Sequence, residues 1–317
     1  MIEVTNVTKR YGTHTAVDDV SFRVEAGEVV GFLGPNGAGK STTMNIITGF
    51  LSATDGTVTV DGIDVLEDPI GAKRTLGYLP ELPPLYVEMT VRDYLRFVAR
   101  VKGVDRADRD DANDEIMRSV GIEHVADRMI RNLSKGYRQR VGLGQALVGD
   151  PKALILDEPT IGLDPHQIIE MRDLVRTLGE KRTVILSSHI LPEVSAVCER
   201  IIIISHGKIV ASDTAENLGK ALAGSGRFSV RIKGTADAAQ AALRDVSGVE
   251  SARVTGQSEA VGTVDLEVDT GEADPREAIF YALADARLPL FGMRSLEVTL
   301  EEIFLQLTDD DSEQEAS

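Results

Sequence analysis

Residues 31–43 read GFLGPNGAGKSTT. Within this stretch Gly34, four residues, then Gly39, Lys40 and Ser41 follow the phosphate-loop pattern without a departure. Val29 and Val30 ahead of the loop predict a buried strand, and Ser41 to Gly49 predict a helix. Strand, Gly-rich turn and helix give successive backbone N–H groups a concave arrangement, and the helix dipole adds positive potential. Lys40 then supplies a full charge for the outer phosphates, and the Ser41 hydroxyl is placed to ligate Mg²⁺. The expected nucleotide-binding set is therefore Gly34, Pro35, Asn36, Gly37, Ala38, Gly39, Lys40, Ser41 and Thr42.

The same loop serves switches, kinases, recombinases and pumps, so composition has to narrow the field. The chain has 317 residues, 42% hydrophobic and 27% charged, and its length suggests two domains. A net charge of −17, with 51 acidic against 34 basic residues, argues against nucleic acid as the main partner despite a local basic stretch at 128–140. The single cysteine, Cys198, excludes an intrachain disulfide framework and suits a reducing compartment. Met1 leads straight into the strand-like IEV, with no signal peptide in view. No apolar run approaches the roughly 20 residues a membrane helix needs. A membrane process would have to take its membrane part from another chain.

Residues 1–30 alternate and turn like antiparallel strands, and VTVDG at 58–62 continues them. From Thr90 the texture becomes helical, through TVRDYLRFVARVKG and ADRDDANDEIMRSVG. ALILDEP at 153–159, TVILSSH and RIIIISHGKIV read as three buried strands, with the amphipathic PHQIIEMRDLVRTLGEK between the first two. Buried strands alternating with helices imply a parallel sheet with covered faces. Small residues in GKALAGSG, from Gly219 to Gly226, mark a boundary. Beyond it the order is strand 227–233, helix 235–245, strands 249–255 and 263–269, helix 274–286 and strand 293–299, which is the βαββαβ of a ferredoxin-like domain. A short helix, LEEIFLQL, and an acidic, disordered tail at 309–317 follow.

Downstream residues bear on the reaction. Asp157 and Glu158 close the strand ALIL, and a carboxylate at the carboxyl end of a strand beside a phosphate loop is positioned to hold Mg²⁺. Glu158 points elsewhere and is placed to accept a proton from an attacking water. No Asn-Lys-x-Asp base-reading motif is present, which argues against a guanine switch. In NLSKGYRQR, residues 132–140, Ser134 is suited to cap the helix RQRVGLGQALV, and such a helix start is a second anion site. Two phosphate sites make sense if they meet on one ligand.

The stretch Leu133-Ser134-Lys135-Gly136-Tyr137 resembles the signature motif of ATP-binding cassette (ABC) transporter ATPases, just upstream of a LILDEP strand as in that family. Gly162-Leu163-Asp164-Pro165 resembles its D-loop, His189 in SSHIL its switch histidine, and Tyr11 in KRYG the aromatic that stacks on adenine. The family's Q-loop usually carries glutamine; GYLPELPPLY has Glu81, still a hard oxygen ligand for Mg²⁺. Lys135 and Tyr137 also depart from the usual Gly and Gln, while Ser134 and Gly136 are retained.

The resemblance covers about residues 1–220. It implies an α/β phosphate-loop NTPase cassette with a mixed sheet core, an antiparallel β subdomain and a helical subdomain at about 85–150, ahead of the accessory α+β domain at 221–308. It further implies ATP and Mg²⁺, a head-to-tail homodimer with each ATP held between one phosphate loop and the other chain's signature helix, Glu158 and His189 as catalytic residues, and Ser41, Asp157 and Glu81 around the metal. YLPE, SKGYRQR and SLEVTLEEIFLQLT look like bacterial and archaeal export cassettes, whose permease is a separate chain that would hold this one at the cytoplasmic face of the membrane. The alternatives are a soluble ABC ATPase of repair or translation, and a module that binds ATP without turning it over. The interval before Asp157 is too short for a repair type's coiled coil, and translation types carry two cassettes. Arg92, Arg96 and Arg100 recur every four residues on one helix face and read as solvated rather than partner-binding.

Overall fold

The structure, a computed structural model, describes residues 1–222, 226–258, 262–270 and 274–296. Two compact units emerge: the first contains Met1–Ala215 and the second begins at Glu216.

In the first unit β1 (Ile2–Tyr11) and β2 (His14–Val24) form an antiparallel hairpin whose buried and exposed residues largely alternate. β3 (Val29–Leu33) is buried at all five positions and runs into the phosphate loop and α1 (Lys40–Ile47). β4 (Asp55–Val60) and β5 (Ile63–Asp64) extend the first sheet in the order β2-β1-β4-β5. α2 (Pro69–Thr75) leads into β6 (Leu76–Leu79). Three helices follow: α3 (Val91–Val101), α4 (Arg109–Ser119) and α5 (Lys135–Leu147). β7 (Ala153–Asp157), α6 (Pro165–Gly179), β8 (Thr183–Ser188), α7 (Leu191–Ser195), β9 (Arg200–Ser205) and β10 (Lys208–Asp213) complete the unit.

The central sheet has the order β10-β9-β3-β8-β7-β6, with β10 antiparallel at its edge and the other strands parallel. One hydrophobic core joins both sheets: Val4 and Val58 from the first, Phe32, Ile155, Ile185 and Ile202 from the second, and Met44 and Ile47 of α1. The topology decides where chemistry can happen. β3, β7 and β8 lie side by side and parallel, so the loops after them leave the sheet at the same edge. Leu33 pairs with Ser188, and Asp157 with Ser187, which brings the phosphate loop, the acidic pair and His189 to one place.

Two expectations need correcting, and one strand was not anticipated. RIIIISHGKIV is a hairpin of two strands, because His206 and Gly207 both take positive φ (46° and 79°), as a two-residue turn of the primed type requires. The strand not anticipated is β6, LGYL, which is too short to have declared itself by periodicity and forms by pairing with β7. Arg92 and Arg96 are not simply solvated: Arg92 pairs with Asp114 and Asp127, and Arg96 with Asp110, tying α3 to α4.

In the second unit α8 (Ala215–Leu222) runs into the small-residue stretch, and the division between units falls a few residues before 220. β11 (Gly226–Lys233), α9 (Ala236–Leu243), β12 (Val249–Ser258), β13 (Thr263–Thr270), α10 (Arg276–Asp285) and β14 (Leu290–Leu296) follow. The antiparallel order β12-β13-β11-β14 is ferredoxin-like, and the last strand begins three residues earlier than its sequence suggested. Val230, Ile232, Leu266 and Val268 pack on Leu243, Ile279 and Leu283 in a core of its own. The opposite face of the sheet carries Arg227, Arg231 and Arg253 paired with Glu267, Asp265 and Asp269. LEEIFLQL and the acidic tail lie outside the described residues.

Candidate functional site

The phosphate loop keeps its shape through glycines that nothing else could replace. Gly39 caps α1 with φ 103°, and a Cβ there would come within 2.5 Å of the Ala16 carbonyl oxygen. Gly34 has the same problem with the Ile204 carbonyl oxygen, at 2.4 Å. The helix begins at Lys40, so its first N–H groups open toward the loop. Lys40 itself is buried at 6% exposure. Its Nζ donates to the carbonyls of Gly34 (2.8 Å) and Pro35 (3.2 Å) and lies 3.4 Å from Glu158 Oε1.

A cleft of about 670 Å³ is lined by Tyr11, Asn36, Gly37, Gly39, Lys40, Ser41, Thr42, Glu81, Glu158 and His189, together with His14, Ala16 and Ile161. Sequence positions as distant as 11 and 189 therefore meet. Tyr11 is 50% exposed and so is not a core aromatic, and Lys9 Nζ sits 5.3 Å from its ring centroid. Ala38 is buried behind the loop.

Asp157 is buried and is not among the residues lining the cleft; its Oδ1 accepts from the Ser187 hydroxyl. Burial, and then the negative charge of Asp157, pushes the nearby Tyr78 hydroxyl up; it donates to Asn45 Oδ1 at 3.1 Å. Glu158 has a left-handed backbone, φ 48°, uncommon for a residue with a side chain and costly unless its surroundings hold it. Its N–H donates to both the carbonyl (3.2 Å) and hydroxyl (3.1 Å) oxygens of Ser187. The sharp turn swings its carboxyl away from Asp157 toward His189, whose Nδ1 lies 2.9 Å from Oε2. A carboxyl held between an imidazole and an ammonium, at the mouth of a phosphate loop, can take a proton from a water attacking a bound phosphate.

The oxygens of Ser41, Glu81 and Asp157 suit Mg²⁺ in kind. Among the described residues no cluster of three His, Cys, Asp or Glu side chains could hold a metal alone.

The signature residues do not reach this cleft. Ser134 caps α5, accepting from Tyr137 N at 3.4 Å, and Asp164 caps α6, accepting from Gln167 N at 2.9 Å. Gly136, Tyr137 and Asp164 line a separate cleft of about 740 Å³, with His124, Arg140, His166 and Glu170 among its walls. The Tyr137 hydroxyl lies 3.0 Å from His124 Nε2. Lys135 lies over Gly162, where a Cβ would come within 2.1 Å of its Nζ. Arg138 donates to the Leu133 carbonyl and Arg140 to the Val120 carbonyl and Glu170, so these two arginines are occupied within the chain.

Sequence reasoning missed Ser187, Ser188, His124 and Glu193. Glu193 is 4% exposed and accepts hydrogen bonds from Thr160 and Ser188. Its only sequence signal is an acid in the first turn of a helix with proline at its start, LPEVS.

The chain is similar to known proteins over most of its length. The sequence model described as ABC transporter matches residues 17–161. The linearmycin resistance ATP-binding protein LnrL of Bacillus subtilis is 33% identical over 97% of this chain and 98% of its own length. The bacitracin transport ATP-binding protein BcrA of Bacillus licheniformis is 36% identical over 69% of this chain and 72% of its own. Among solved structures, a dimeric post-hydrolysis state of the ATP-binding cassette MJ0796 with ADP and Pi superposes with a TM-score of 0.62 at 26% identity, covering 68% of this chain and 98% of that one.

Proposed function

This chain belongs to the family of ABC transporter ATP-binding subunits, an ATPase using ATP and Mg²⁺, and on that premise we propose that it powers an exporter as a nucleotide-closed homodimer. The observation that carries the dimer is the separation of two half-sites. The phosphate loop lines one cleft, and Gly136, Tyr137 and Asp164 line another, so one chain leaves each half incomplete. Two copies placed head to tail complete both.

In this reading Tyr11 stacks on adenine, and Gly34 to Thr42 surround the phosphates, with Lys40 as their cation. Ser41, Asp157 and Glu81 would hold Mg²⁺, which when bound would supply charge neutralisation at the phosphates. Glu158 takes the proton of the attacking water, and His189 orients it and contacts the γ-phosphate. Ser134, Lys135, Gly136 and Tyr137 act on the partner copy's ATP, with Asp164 at the seam. Closing and reopening passes to a separate permease through the Q-loop and the helices at 90–120.

No helix of the described residues is long and apolar enough to cross a membrane, which supports a membrane part on another chain and a cytoplasmic, peripheral place for this one. Export rather than import is supported by the likeness to the linearmycin resistance protein, which extends through the C-terminal unit. The test is co-purification. A multi-helix membrane protein encoded beside this gene, expressed with the tagged chain, should bring it to the membrane fraction and alter its ATPase rate. A chain that leaves the membranes at low salt with unchanged turnover argues against this reading.

A further inference from the structure

Glu158 and His189 sit on different loops, and their 2.9 Å contact depends on how those loops are held. Beyond the strand ends, one buried side chain joins them. Glu193 Oε2 accepts from the Thr160 hydroxyl at 2.5 Å and from the Ser188 hydroxyl at 3.3 Å. Thr160 lies two residues after Glu158, and Ser188 one residue before His189. The Ser188 oxygen in turn accepts from Ile190 N at 3.0 Å, so both flanks of His189 belong to the same network.

Packing alone does not ask for a glutamate here. At 4% exposure, and with no cation paired to it among the described residues, its carboxyl carries a desolvation cost that an apolar side chain would avoid. What it adds is a fixed distance. The left-handed backbone of Glu158 persists only where its surroundings over-determine it, and the Thr160 hydrogen bond pins the chain just beyond that turn.

We infer that Glu193 is a positioning residue for hydrolysis, a brace that sets the Glu158–His189 geometry without touching ATP. This role rests on the reading that Glu158 and His189 act on ATP.

The test is steady-state ATPase of the full chain, with fluorescent-nucleotide binding measured alongside, for Glu193→Ala, Glu193→Gln and Thr160→Val. Because a small misplacement of reacting groups is costly, Ala and Val should lower kcat on the order of tenfold to a hundredfold. KM for ATP and nucleotide affinity should stay within about twofold, since the phosphate loop is untouched. Glu193→Gln, whose amide oxygen still accepts from both hydroxyls, should return kcat to within about threefold of the parent. Normal turnover in Ala or Val, an equal loss of nucleotide binding, or a Gln variant as impaired as Ala would each overturn the brace. If Glu193→Ala does not fold, Thr160→Val carries the test, because it removes a donor and leaves the carboxyl in place. Glu158→Gln is run in parallel. A dead Glu158→Gln beside a fully active Thr160→Val sinks the brace alone, whereas wild-type turnover in Glu158→Gln sinks the underlying reading and the brace's purpose with it.

Discussion

Lys40 Nζ lies 3.4 Å from Glu158 Oε1, with both side chains buried, at 6% and 7% exposure. In the proposed reading, the cation that would meet phosphate therefore rests against the carboxyl that would activate water. Phosphate entering the loop competes with Glu158 for that ammonium, and its own negative charge favours moving the carboxyl away. On that reading, nucleotide binding and release of Glu158 would be linked through one contact.

Glu81 replaces the glutamine usual at its position in this family. Both side chains offer an oxygen to Mg²⁺, so Glu81→Gln should remain an active ATPase. Steady-state turnover beside a Lys40→Ala control checks this. Activity as low as the control's would mean that the Glu81 charge, and not only its oxygen, is required.

Local features were legible in the sequence, and contacts between distant segments were not. The phosphate loop announces itself because glycine spacing and the flanking strand and helix all lie within about 20 residues of one another. Ser134 as a helix cap is equally local. The meeting of Tyr11, Glu81, Glu158 and His189 needs the strand order β3-β8-β7, which no single stretch encodes, and came only through family resemblance. Glu193 had neither route: its partners are 33 and 5 residues away, and a lone glutamate in a short helix looks like any surface acid. The His206-Gly207 hairpin was missed because histidine is a poor signal for positive φ, unlike asparagine before glycine.

The C-terminal unit has its own core and no ligand-binding motif, and we expect it to regulate rather than catalyse. Removing everything from Gly226 onward should leave ATP affinity unchanged, because every residue lining the nucleotide cleft lies before 190. Titration of the truncated chain with a fluorescent nucleotide measures this. A folded, monodisperse truncation that no longer binds would refute it.

Lys102 gives the fold a pH signature. Burial pulls its ammonium down to about 8, while its Nζ donates to the Val148 carbonyl at 2.8 Å. Between pH of about 8 and the ordinary lysine value of 10.5, the unfolded chain holds that proton and the folded chain does not. Stability from this group therefore rises with pH across that window, and below it the full penalty stands. Thermal unfolding of Lys102→Met should lack that rise, so its melting temperature relative to the parent should fall as pH climbs from 8 to 10. A constant difference would mean that Lys102 titrates normally.

Glu158→Gln tests the catalytic assignment and the composite site together. The substitution keeps the side chain's size and hydrogen-bonding ability while deleting its basicity and its charge. Removing a general base should slow hydrolysis on the order of 10²–10⁴-fold. Binding should survive and tighten, because Lys40 loses the carboxyl now resting 3.4 Å from it and is left for phosphate. With ATP bound and not turned over, each signature Ser134 stays engaged on the partner's nucleotide, and closed dimer accumulates. Sedimentation with Mg²⁺-ATP should show that dimer, and adding Ser134→Arg should abolish it, since a guanidinium at the cap of α5 fills the space the partner's phosphate needs. The double variant should still bind nucleotide as a monomer, because Ser134 is not among the residues that line its own chain's nucleotide cleft. A Glu158→Gln chain that stays monomeric at saturating ATP would break the link between the two clefts, and one that hydrolyses normally would remove Glu158 as the base.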